Sequence, residues 1–112
     1  MPPETALIAA FQRELDHGRN ARRENNEGMA RVCARRAAGI LVRAYYESKG
    51  VDLPGASALN HLRALATAPD EPRGVQEVAR HFIRQIDHDH VLPEGIDLLA
   101  EVEWLRSALF PA

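Results

Sequence analysis

The chain has a single cysteine, Cys33, so it can form neither an internal disulfide nor a cysteine-based zinc site. The residue reads as a small buried apolar group. Secreted domains of this size more often carry bridges. The opening residues, Met1-Pro2-Pro3-Glu4, offer no basic segment or apolar run of the signal-peptide kind. Apolar stretches fall far short of the ~20 residues that cross a bilayer. These absences predict a cytoplasmic protein with no membrane partner. Aromatic residues make up only 5% of the chain, so a core must come from Leu, Ile, Val and many Ala, which suits closely packed helices. No segment alternates with period two and no Asn-Gly or Asp-Gly turn occurs, so no sheet is expected. Phosphate-binding glycine loops, the Gly-x-Ser-x-Gly elbow and the dinucleotide fingerprint are also missing. Nothing in the sequence supports covalent catalysis or a bound cofactor.

What is present reads as one globular domain spanning 1–112. Hydrophobic residues at 46% and charged residues at 27% exclude a disordered chain. Leu7, Ile8, Phe11 and Leu15 share one helical face, from a start near Glu4 or Thr5 to a stop expected at Gly18. Residues 19–27 fit either a loop or the first turns of the next helix. From about Glu27 to Ser48 a wide apolar face combines Met29, Val32, Cys33, Ala37, Ile40, Leu41, Ala44 and Tyr45. Arg31, Arg35, Gly39, Arg43 and Glu47 follow at spacing four on the opposite side. Glu27 and Arg31 have the spacing of a helical ion pair. Ala34, Ala37, Ala38 and Gly39 form a patch where another helix can approach closely, and Lys49-Gly50 marks the stop.

Pro54-Gly55 marks a connector, and Ser57 caps a short helix that turns Leu59, Leu62 and Leu65 inward. Pro72 has the place of a first-turn proline. After it Val75, Val78, Ala79, Phe82, Ile83 and Ile86 make a clean stripe. Residues 87–92 break the pattern. Pro93 is expected to open the last helix, with Ile96, Leu99, Val102, Leu105 and Leu109 inward. The fold class predicted is therefore all-α, an antiparallel bundle of about five helices.

Charge is unevenly spread. Residues 19–43 carry a balance of +5, and the chain from Asp70 onward a balance of -5. Such asymmetry points to a polyanionic partner, or to one half of the protein facing the other.

The helix carrying Ala30-Arg31-Val32-Cys33-Ala34-Arg35-Arg36-Ala37-Ala38-Gly39-Ile40 ends in Tyr45-Tyr46-Glu47-Ser48-Lys49-Gly50. A capped Ser57-Ala58-Leu59-Asn60-His61-Leu62 follows, then an amphipathic helix and a proline-led last helix. This layout, over roughly residues 6–110, resembles the HEPN family of small helical domains. The resemblance implies an up-and-down bundle, commonly a homodimer. It also implies either a metal-independent ribonuclease, often a toxin or defence effector, or an inactive form that binds nucleotides, RNA or protein. Active members carry an Arg followed four to six residues later by His, with Asn, Asp or His usually next to the Arg. Arg84-Gln85-Ile86-Asp87-His88-Asp89-His90 has the spacing and the position. Gln85 departs from the usual choices, which counts against catalysis.

Two candidate sites follow. Arg84 would offset charge on a scissile phosphate while His90 moved a proton; the plainer reading is a solvated helix end with Arg84 beside Asp87 or Asp89. Arg31, Arg35 and Arg43 would hold nucleic acid or an acidic partner; the plainer reading is a solvated or internally paired face. His81, Asp87, His88, Asp89 and His90 include metal-ligand types, but caps and turns use the same residues, and no metal site is assigned. Tyr45, Tyr46 and Trp104 serve either the core or an interface. The leading reading is a non-catalytic module in a bacterial cytoplasm, homodimeric, binding a partner protein or nucleic acid. The competing reading is an endoribonuclease using Arg84 and His90.

Overall fold

Five helices make up the fold, with no strand among the described residues: α1 (Pro3–Arg23), α2 (Glu27–Ser48), α3 (Ala58–Thr67), α4 (Arg73–Asp87) and α5 (Leu98–Leu109). The structure, a computed structural model, describes residues 3–51, 57–87 and 95–111. Pro54, Gly55, His88, Asp89, His90 and Pro93, and the side chains of Ile86 and Asp87, lie outside the described residues.

Gly18 does not stop α1; the helix runs on to Arg23. Its missing side chain serves packing instead. A Cβ at this buried position would stand 2.8 Å from Leu99 Cδ2 and 3.2 Å from Cys33 Cβ. The reversal comes later, at Asn25, whose φ of 61° is the left-handed conformation that Asn tolerates better than most residues. Asn26 then caps α2, its side chain accepting the Met29 N–H at 3.0 Å. With so short a link, α1 and α2 pack antiparallel, the most extensive helix contact in the fold.

The bounds of α2 agree with the sequence reading, and Gly50 follows it at a φ of 73°. Ala30, Ala34, Ala37, Ala38 and Leu41 are fully buried against the neighbouring helices. Met29 is the exception on that face and stays 45% exposed, because it sits on the first turn of α2. Gly39 is not on a solvent face either. It is buried against α3, where an added Cβ would overlap the Ala58 Cβ and come within 3.0 Å of the Ala58 Cα.

Ser57 caps α3 by accepting the Leu59 N–H. Pro72 lies just outside α4, its carbonyl accepting the Gln76 N–H. The last helix begins at Leu98 and not at Pro93. Asp97 supplies the cap by accepting the N–H groups of Leu99 and Ala100, which a proline cannot do. Leu98, Leu99, Val102, Leu105 and Leu109 are buried as the spacing requires. They join Phe11, Leu41, Leu62, Leu65 and Phe82 in one apolar core. No helix among the described residues is long and apolar enough to cross a membrane.

Candidate functional site

The two charged halves of the chain meet inside the molecule. Arg19 pairs with Glu103, and Arg22 pairs with both Glu27 (Nε to Oε1, 2.6 Å) and Asp97 (Nη2 to Oδ1, 3.0 Å). Hydrogen bonds from Arg22 hold both carboxylates below their ordinary pKa, and those carboxylates raise that of Arg22. Glu27 thus accepts its hydrogen bonds from Arg22, while Arg31, at the spacing of a helical pair, acts on it only through its charge.

The arginines of α2 divide accordingly. Arg43 is exposed and hydrogen-bonded to Glu47 at 3.1 Å. Arg31 and Arg35 are half-buried one turn apart, and among the described residues neither makes an ion pair or hydrogen bond. Arg31 lies near enough to Glu27 to help lower its pKa, but that carboxylate is already engaged.

Arg84 is exposed on the last turn of α4. His90 lies outside the described residues, so the structure places one member of the expected pair. One turn earlier on α4, His81 Nδ1 is 2.7 Å from Glu101 Oε1 on α5. This contact ties the two helices together. Among the described residues no group of three His, Cys, Asp or Glu side chains is placed to hold a metal.

The tyrosines serve packing. Tyr45 donates its hydroxyl to Glu71 Oε2 at 2.7 Å, lies under the Lys49 ammonium at 4.4 Å, and meets Phe110 edge-on. Burial raises its pKa. These contacts fasten the end of α2 to the connector before α4 and to the end of α5. Trp104 is 47% exposed on α5, its ring lying over Gly74.

A cleft of about 260 Å³ lies between α1, α2 and α3, and no motif read from the sequence predicted it. Leu7 and Glu14 line it from α1, Arg36, Gly39, Ile40 and Arg43 from α2, and Ala58 and His61 from α3. Glu14 Oε2 is buried with no hydrogen-bond partner among the described residues. His61 is only 4% exposed, and its ring makes no hydrogen bond among the described residues. Cys33 lies behind the cleft, 2% exposed, its thiol pKa raised by burial and by the charge of Glu14. The readable signal was polarity on apolar stripes. Glu14 continues the face of Leu7 and Phe11, and His61 stands between Ala58 and Leu65 at core spacing.

Comparison with family models, with curated proteins and with solved structures found no match.

Proposed function

We propose that this chain is a non-catalytic helical binding module, acting as a homodimer, that holds an acidic partner, nucleic acid or protein, on the basic flank of α2. One observation carries the reading. Among the described residues Arg31 and Arg35 stand one turn apart and make no ion pair within 4 Å, whereas Arg19, Arg22 and Arg43 are each paired with a carboxylate. Two adjacent unpaired guanidiniums are suited to phosphate or carboxylate groups. The dimer rests on the HEPN-like layout, with which the helix order is compatible.

Fluorescence anisotropy with single-stranded RNA and with an acidic peptide, read at several salt concentrations, tests the proposal. Replacing both Arg31 and Arg35 by Gln is expected to weaken binding and, for RNA, to flatten the slope of log K against log salt by about 1.4, at roughly 0.7 per lost phosphate contact. Absence of binding to either probe at low salt would end the reading. Light scattering on the eluting protein tests the dimer.

A second reading, metal-independent RNA cleavage by Arg84 and His90, draws on the exposure of Arg84 at the end of α4, one turn from a histidine held by a carboxylate. Cleavage in EDTA that disappears in Arg84→Ala and His90→Ala would favour it. RNA left whole by the folded protein would dismiss it.

A further inference from the structure

We infer that the cleft between α1, α2 and α3 is a binding site for a small zwitterion with an apolar body, of the class of free aliphatic amino acids. The inference concerns a different surface from Arg31 and Arg35 and stands independently of the binding-module reading.

Most charged groups near the other helix junctions are satisfied within the chain. Arg22 is shared between two carboxylates, His81 is engaged by Glu101, and Tyr45 and Lys49 are engaged by Glu71. The cleft differs. Glu14 and Arg36 line it together yet form no ion pair with each other, and neither has another ion-pair partner among the described residues. Two opposite charges are thus held apart in one depression; the Glu14 carboxylate has the Cys33 thiol beside it, but its buried Oε2 has no hydrogen-bond partner among the described residues. Arg43 adds no net charge, because Glu47 neutralises it at the rim. A purely anionic ligand would meet Glu14 unfavourably, and a purely cationic one would meet Arg36. A molecule with an ammonium and a carboxylate satisfies both at once.

The remaining surface sets the rest of the molecule. Leu7, Ile40 and Ala58 offer an apolar wall for an aliphatic group. The ring of His61, nearly sealed from solvent and without a hydrogen bond among the described residues, can meet the polar head. At about 260 Å³ the open cleft is just under the ~300–1,000 Å³ of pockets for drug-sized ligands, a size that suits a branched amino acid.

The test is an amide-resolved NMR titration of the full chain with L-leucine, 4-methylpentanoate and 3-methylbutylamine. The last two are the same aliphatic body with one charge removed. L-leucine is expected to shift the amides around Gly39, Ala58 and His61 and to bind about ten- to a hundredfold more tightly than either analogue, the worth of one charge-assisted hydrogen bond. Glu14→Gln and Arg36→Gln are each expected to weaken L-leucine by a similar factor, with circular dichroism confirming that each variant is folded. No shifts with L-leucine at millimolar concentration would overturn the inference. So would an analogue that binds as tightly, or affinity unchanged in both variants. The comparison of three ligands on the unmodified protein decides the matter even if a variant fails to fold.

Discussion

Arg22, on the last turn of α1, grips the carboxylate that caps α5: its Nη1 is 3.0 Å from Asp97 Oδ2 and its Nη2 is 3.0 Å from Oδ1. The other edge of the same guanidinium holds Glu27 on the first turn of α2. One planar side chain therefore joins three helix ends, a geometry that arginine supports and lysine does not. Its contribution is moderated by water, since the Arg22 and Asp97 side chains are 38% and 45% exposed.

Asp97→Ala removes both the helix cap and the ion pair. The cap is worth about 1 kcal/mol and a partly exposed pair ~0.2–1 kcal/mol. The expected loss is about 1–2 kcal/mol, read as a lower urea midpoint and a Tm drop of about 4 °C per kcal/mol for a chain of this size. Asp97→Asn keeps a capping oxygen and is expected to lose less than half as much. Equal losses would show that the cap contributes nothing.

Acid acts on the same junction. Asp97 and Glu27 have folded pKa values below their ordinary 3.8 and 4.5, chiefly through hydrogen bonds from Arg22. The unfolded chain takes up protons that the folded chain refuses. This stability is therefore complete above the ordinary values and is lost as the pH falls through them toward the lowered ones. Urea midpoints followed from near neutrality to about pH 2.5 are expected to fall less steeply in Arg22→Gln than in the unaltered protein. An equal fall in both would place the acid sensitivity elsewhere.

Three glycine substitutions are expected to rank by space and not by helix propensity. Gly28 is exposed on the first turn of α2, and an added Cβ meets only Asn26 Oδ1 at 3.8 Å; Ala there gains up to ~1 kcal/mol. At Gly18 the nearest atom is the far end of the Leu99 side chain, which can shift, so Ala is expected to be near neutral. At Gly39 the obstacle is Ala58 itself, its backbone included, and Ala is expected to cost about 1–3 kcal/mol. Thermal melts give the order; Gly39→Ala matching Gly28→Ala would refute the close approach of α2 and α3.

Cys33 reports on unfolding. Its thiol is buried and its pKa raised, and only the exposed thiolate attacks disulfide reagents. Labelling at about pH 8 is expected to be negligible in the folded protein and to appear along the urea transition. Rapid labelling without denaturant would contradict the packing around α1 and α2.

The local signals were legible. The start near Glu27 and the stop at Lys49-Gly50 bound α2 where the sequence puts them, because helix ends depend on residues a few positions apart, although the Asn26 cap itself was not foreseen. Gly18 was misread as a helix stop because its role depends on a distant partner, Leu99; the close helix approach expected at the patch ending in Gly39 is made by α3 at Ala58. The opposition of basic and acidic halves was visible as composition, but its partners were not: Arg19 and Arg22 take Glu103 and Asp97, while Arg31 and Arg35 make no ion pair among the described residues. The cleft needed three helices to assemble, so no short motif announces it. Glu14 and His61 were its trace, polar residues at positions otherwise reserved for the core.

The notch at Gly18 is filled by Leu99, a residue translated some eighty positions later. During synthesis the first two helices can pair, yet their shared surface keeps an open seat, and Arg22 waits for one of its two acids, until α5 has been made. Closure of this junction therefore waits for α5 to emerge, and a nascent chain halted before Asp97 would present that seat to whatever apolar side chain came near.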